Sequence, residues 1–200
     1  MPRVTRLLAC LIAAPLLIAH APAARAGLDL EEGHWRVELA TTYGIHSGTT
    51  NRSGNVLTTG TVEYEIPATP RTTLGLRLMP LFLYTQDDTS IKDSDDWYRL
   101  DEEDASDTVW GGGLGLTGRI YQVKDEYRGW YGEAEGLAVV HDNKIIGNSS
   151  NFNFLIGLGV GYKFKSHWHT VLKYEHISNS SIGARNAGAN SLGLGLGYSF

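Results

Sequence analysis

Cysteine is almost missing from this 200-residue chain; the single one, Cys10, lies near the N-terminus. Downstream of it the chain has neither disulfide staples nor thiol chemistry to draw on. Long apolar runs are also missing beyond the N-terminus, where no stretch reaches the roughly 18 residues a membrane-spanning helix needs, and a helical membrane protein is excluded. Convincing helix signatures and internal repeats are absent as well. Proline is scarce, at six residues without a Gly-X-Y period, so the chain is neither collagen-like nor a disordered linker. Basic residues are in short supply: 17 Lys and Arg face 22 Asp and Glu, for a net charge of −5. That balance disfavours nucleic acid as a partner.

Glycine is what the sequence has in excess. All 24 glycines lie beyond residue 26, a density there of about twice the ordinary ~7%. Ahead of them, Arg3 and Arg6 precede an apolar stretch from Leu7 to Ile18, and Ala24-Arg25-Ala26 forms a small-x-small cleavage site. Residues 1–26 therefore read as a secretory signal peptide. Leu7-Leu8-Ala9-Cys10 looks like a lipoprotein cleavage box, but Cys10 comes too early, with most of the apolar region still to follow. Removal of the signal leaves 27–200 as one domain, with 14 basic against 22 acidic residues.

Within that domain, period-2 alternation dominates. Trp35, Val37, Leu39, Thr41 and Tyr43 share one face, opposite Arg36, Glu38, Ala40 and Thr42. Phe154, Ile156, Leu158, Val160 and Tyr162 alternate with Gly157, Gly159 and Gly161; Leu192, Leu194, Leu196 and Tyr198 alternate with Gly193, Gly195 and Gly197. The pattern predicts eight strands near 34–45, 55–66, 72–85, 108–122, 129–141, 151–164, 168–178 and 190–200. Their connections alternate between short turns and longer loops, the habit of an outer-membrane barrel.

A soluble sandwich would carry a broadly charged second face, whereas this one is mostly Gly, Thr and Asn with a few charges, as a narrow eight-stranded lumen requires. Trp35, Tyr64, Trp130, Tyr162, Trp168 and Tyr198 fall near strand ends, where aromatic girdles sit. The terminal Phe200, with apolar residues at every second position before it, resembles the recognition signal of bacterial outer-membrane barrels. The expected fold is all-β: an eight-stranded antiparallel transmembrane barrel of the outer membrane.

Chemistry concentrates near the C-terminus. Trp168, Leu172 and Tyr174 set the lipid-facing parity of the seventh predicted strand, and His176 and Ser178 continue it. Polar residues at headgroup level can be simple strand margin. Yet residues i and i+2 share a face, so an imidazole and a hydroxyl can approach as nucleophile activation requires. Asn190 opens the last strand with the same outward parity, and a hairpin from 178 to 190 brings it beside His176, where it can orient the ring. Asn179 and the backbone N–H groups after it are candidates for an oxyanion hole.

The stretch His176-x-Ser178-Asn179 through Asn186-x-Gly188-x-Asn190 resembles the active-site segment of the PagL family of lipid A 3-O-deacylases. Trp130-Tyr131-Gly132-Glu133-Ala134 and Asn151-Phe152-Asn153-Phe154 extend the match over about the last 70 residues. The resemblance implies an eight-stranded outer-membrane barrel whose serine hydrolase site lies on its lipid-facing wall, with no cofactor and no metal. It implies His176 as general base, Ser178 as nucleophile, Asn179 as the oxyanion side chain with the backbone of Ser181 as second donor, and Asn186 as a residue shaping the site. Position 190 departs from the family pattern: Asn stands where the best-known members carry a triad Glu. The implied partners are lipid A in the outer leaflet and the membrane itself, with room for a homodimer. The competing expectations are a non-catalytic barrel that anchors or binds through its loops, and an esterase of other lipid specificity.

Other groups offer less. Ten acidic residues crowd positions 86–107 against Lys92 and Arg99, which reads as a solvated acidic loop before a Ca²⁺ site, because no EF-hand spacing is present. His141, His167 and His169 lack metal-ligand spacing. Glu133 and Glu135 have lumen parity and are expected to pair with Arg119 or Lys163.

Overall fold

Alternating side chains become eight long strands in the computed structural model, which describes residues 31–47, 50–86 and 108–200. The signal peptide and the acidic loop lie outside the described residues. The long strands are β1 (His34–Gly44), β4 (Val56–Thr69), β5 (Thr72–Thr85), β6 (Thr108–Val123), β7 (Arg128–His141), β8 (Phe152–Lys163), β9 (Trp168–Ser178) and β10 (Ala189–Ser199). They close antiparallel in the order β1-β10-β9-β8-β7-β6-β5-β4, which leaves no sheet edge and satisfies every strand's backbone in a membrane. The sequence reading placed these strands to within about three residues. It missed a small hairpin above the barrel, β2 (His46–Ser47) paired with β3 (Thr50–Asn51), because two-residue strands carry no readable period.

Two prolines sit inside long strands, and both lie at faults in the ladder. Pro67 borders a register shift between β4 and β5, and Pro80 falls within one between β5 and β6. A residue without an N–H is tolerated where pairing is already interrupted.

The outer wall is apolar, with Leu39, Leu116, Ile120, Leu158, Leu194 and others exposed to what surrounds the barrel. At the short-turn end, Trp35 packs on Tyr64, Trp130 on Tyr162 and Trp168 on Tyr198, with ring centroids 5.1, 5.4 and 5.3 Å apart. These pairs form the expected girdle.

The lumen is filled in layers. Its middle is far more charged than the sequence reading expected: Arg36, Arg77, Arg119 and Lys173 meet Glu38, Glu63, Glu65, Glu133, Glu135 and Glu175, all buried. Arg119 Nε lies 2.5 Å from Glu133 and Arg77 Nε 2.6 Å from Glu63; Lys173 Nζ lies 2.7 Å from Glu135. Glu133 does pair with Arg119 as expected, whereas Glu135 pairs with Arg77 and Lys173; Lys163 instead lies over the Tyr121 ring. Lumenal glycines make room for these long side chains. A Cβ on Gly75 would lie 2.2 Å from Glu63 Oε1, and one on Gly157 2.4 Å from Glu135 Oε1. Toward the loop end, Leu57, Met79, Phe82, Leu137, Val139, Leu155 and Ile177 form an apolar plug.

Candidate active site

The loop after β9 is held by its own polar side chains. Ser180 and Ser181 both take positive φ, 51° and 63°, and Ile182 N–H donates to the Asn179 carbonyl at 3.0 Å. This is the pattern of a type I′ turn, which favours Gly or Asn at those positions. Two serines there store backbone strain of the kind that clusters at functional sites. The Asn179 side chain stabilises the turn from beneath by accepting the Ser181 N–H at 2.9 Å.

Asn179 itself is 0% exposed and turned inward. Its amide donates to Asn148 Oδ1 at 2.6 Å and to the Arg185 carbonyl at 2.8 Å. Asn148 in turn donates to Asn153 Oδ1, and the Asn153 amide meets His141 Nε2, each at 2.6 Å. This Asn chain ties the candidate site to the β7–β8 loop. From above, Arg52, also buried, donates to the carbonyls of Ala187 and Gly188 at 2.8 and 3.3 Å. The loop is thereby braced from two sides.

His176 faces Asn190 across the β9–β10 pair. Its Nδ1 lies 2.8 Å from Asn190 Oδ1. Because Oδ1 can only accept, Nδ1 carries the ring proton and Nε2 is left with its lone pair. Nε2 has no hydrogen-bond partner among the described residues. Gly188 packs against the ring's edge so closely that a Cβ there would lie 2.7 Å from Cε1. Tyr174 OH donates to the same Asn190 Oδ1 at 2.7 Å.

His176 and Ser178 are both half-buried on the outward face, two residues apart. No hydrogen bond joins Nε2 to the Ser178 hydroxyl in this state. Glu175, between them and Tyr174 in sequence, is buried in the lumen beside Thr42, so it is no partner for the ring. The structure thus brings together His176, Asn190 and, by face, Ser178.

The expected oxyanion donors are engaged within the loops. Both Asn179 side-chain donors are committed to Asn148 and Arg185, and the Ser181 N–H is held by Asn179 Oδ1. The amide that remains open is that of Asn186. Its Oδ1 accepts the N–H of Asn179, the residue next to Ser178, at 2.9 Å, while its Nδ2 has no hydrogen-bond partner among the described residues. Sequence reasoning saw Asn186 only as a shaping residue, since nothing in the chain order tells which of two loop Asn side chains turns inward. Among the described residues, no group of three His, Cys, Asp or Glu side chains is arranged to hold a metal ion.

A closed eight-stranded barrel with an apolar outer wall and an imidazole–amide pair set into that wall defines an outer-membrane β-barrel that carries polar machinery on its lipid-facing side. The family model for lipid A 3-O-deacylases (PagL) matches residues 74–199, well over half of the sequence, and the chain belongs to that family. No curated protein matches it. Similar solved structures include the outer membrane protein OprG from Pseudomonas aeruginosa, with 15% identity over 84% of this chain and 95% of that one and a TM-score of 0.45. Another is the outer membrane protein AlkL in DMPC lipid bilayers, with 12% identity over 90% of this chain and 95% of that one and a TM-score of 0.40.

Proposed function

We propose that this protein is an outer-membrane serine esterase that removes an ester-linked acyl chain from lipid A, after export under the N-terminal signal. The observation that carries the reading is His176: its Nδ1–H is fixed by Asn190 and its basic Nε2 is open, on the outward face two residues from Ser178. An imidazole with an open nitrogen on an apolar wall is costly unless it is used, and a membrane-embedded ester is the substrate that reaches such a wall.

In the proposed reaction the Ser178 hydroxyl turns toward Nε2, and its oxygen attacks the acyl carbonyl as His176 takes the proton. Catalytic hydrogen bonds that are open in a resting enzyme commonly tighten with substrate bound. The oxyanion is stabilised by the Asn186 amide and by the backbone N–H groups of Ser180 and Gly183, since those of Ser181 and Ile182 are held by Asn179. His176 Nε2–H then returns its proton to the departing sugar oxygen, which leaves an acyl-Ser178. Water, deprotonated by the same nitrogen, releases the 3-hydroxy fatty acid and restores the serine.

Asn190 orients the ring without offering charge to the imidazolium, so a slower reaction than with a carboxylate is expected. The rival reading, a non-catalytic barrel, draws on the missing Nε2–Ser178 hydrogen bond. Mass spectrometry of lipid A from cells expressing wild type or Ser178→Ala decides between them. The enzyme reading expects loss of one hydroxyacyl chain with wild type only; identical profiles with both proteins properly inserted would overturn it.

A further inference from the structure

We propose that Tyr174 is a positioning residue that sets the tautomer of His176 by fixing which end of the Asn190 amide faces the ring. The inference rests on the hydrolase reading and concerns the one position where this chain departs from a carboxylate.

A carboxylate presents an acceptor whichever way it turns; an amide has a right end and a wrong end. With Oδ1 toward the ring, His176 keeps its proton on Nδ1 and Nε2 can accept the proton of Ser178. With the amide turned over, Nδ2 would donate to Nδ1, the ring proton would move to Nε2, and the base would be lost. In a serine protease whose triad Asp was replaced by Asn, the wrong tautomer cost about 10⁴ in kcat.

Here a second donor holds the amide the right way round. Oδ1 receives two hydrogen bonds, from Tyr174 OH at 2.7 Å and from His176 Nδ1 at 2.8 Å. Tyr174 and His176 are successive outward residues of β9, and Asn190 stands directly opposite His176, so the carbonyl is bracketed by both. Asn190 is only 9% exposed, which keeps water from replacing either donor. Turning the amide would leave the phenolic proton without its acceptor at an apolar wall, the expensive outcome for a polar group. Glu175, the carboxylate beside Tyr174 in sequence, lies inside the lumen and cannot do this work.

Two measurements on the full-length protein, refolded in detergent micelles, test this. In the first, histidines are labelled with ¹⁵N, and the ring signals of His176 are assigned by their loss in His176→Gln. The expected result is a proton on Nδ1 in wild type and a mixture with the Nε2–H form in Tyr174→Phe. A wild-type ring protonated on Nε2, or an unchanged ring in Tyr174→Phe, overturns the proposal. This arm needs no turnover, so it separates failure of the proposal from failure of the esterase reading.

The second measurement compares Tyr174→Phe in the native and in the Asn190→Glu background, with purified lipid A as substrate. About a tenfold fall in kcat with little change in KM is expected in the native background, the worth of one hydrogen bond. In the Asn190→Glu background the fall should shrink to about twofold or less, since a carboxylate has no wrong end. Equal losses in both backgrounds would mark Tyr174 as mere packing and overturn the proposal.

Discussion

Lys173 and His176 stand three residues apart on β9, one facing the lumen and the other the lipid, and their surroundings differ in kind. Lys173 Nζ has four carboxylates within ion-pair distance: Glu135, Glu38, Glu175 and Glu133 at 2.7, 3.2, 3.6 and 3.8 Å. His176 has one partner for one ring nitrogen and, among the described residues, none for the other. Inside the barrel most charges meet more than one of opposite sign, Glu175 meeting only Lys173, and this network fixes the strands' mutual positions. Outside, one basic nitrogen is left open. Polar groups of the first sort should govern stability, and those of the second should govern rate.

Four substitutions can break or sharpen that contrast. The largest effect is expected from His176→Ala. It should lower kcat on the order of 10⁶-fold, as loss of the histidine does in a soluble serine protease. Its stability in urea should stay within about 1 kcal/mol of wild type. A stability loss as large as that of a lumen charge would erase the distinction between the two faces.

Next comes Arg77→Leu, which leaves Glu63, Glu133 and Glu135 short of a cation. Breaking a buried pair from one side costs about 3–5 kcal/mol. Urea unfolding of the refolded barrel should show that loss, while the fraction that remains folded keeps its kcat. A stable Arg77→Leu barrel would mean that the lumen network is dispensable.

Gly188→Ala drives a methyl into the His176 ring at Cε1, 3.5 Å from Nε2, and leaves every polar group of the site in place. A ring displaced by about 1 Å should cost roughly 10² in kcat, read by the same lipid A assay, with unfolding unchanged. Smallest is the gain expected from Asn190→Glu. A carboxylate would add charge opposite the developing imidazolium and raise kcat about tenfold, the worth of roughly 1.4 kcal/mol. A fall in kcat would show that this site is built around the amide.

The fold and the outward pair were legible in the sequence for one reason: strand parity is a strict period of two. Glycines at alternate positions of β8 and β10 mark the inside, and that frame alone sends His176, Ser178 and Asn190 out. What was not legible depends on closure. Arg77 and Glu135 are 58 residues apart, and Glu38 and Lys173 are 135 apart, so each reads along the chain as an isolated charge. Only the barrel makes them a network. The packing of Asn179 and Asn186 was hidden for a similar reason. Asn179 owes its inward turn to Asn148, 31 residues upstream on another loop, which local pattern does not register.

The lumen plug formed by Leu57, Phe82, Leu137 and their neighbours has a consequence for how the proposed enzyme would meet its substrate. With the interior closed and the open nitrogen on the outer wall, approach runs through the plane of the bilayer. The relevant concentration is then a surface density, moles of lipid A per mole of total lipid, and not an amount per litre. Adding inert lipid to the vesicles should slow turnover by surface dilution, while adding buffer at fixed lipid composition should leave the rate per enzyme unchanged.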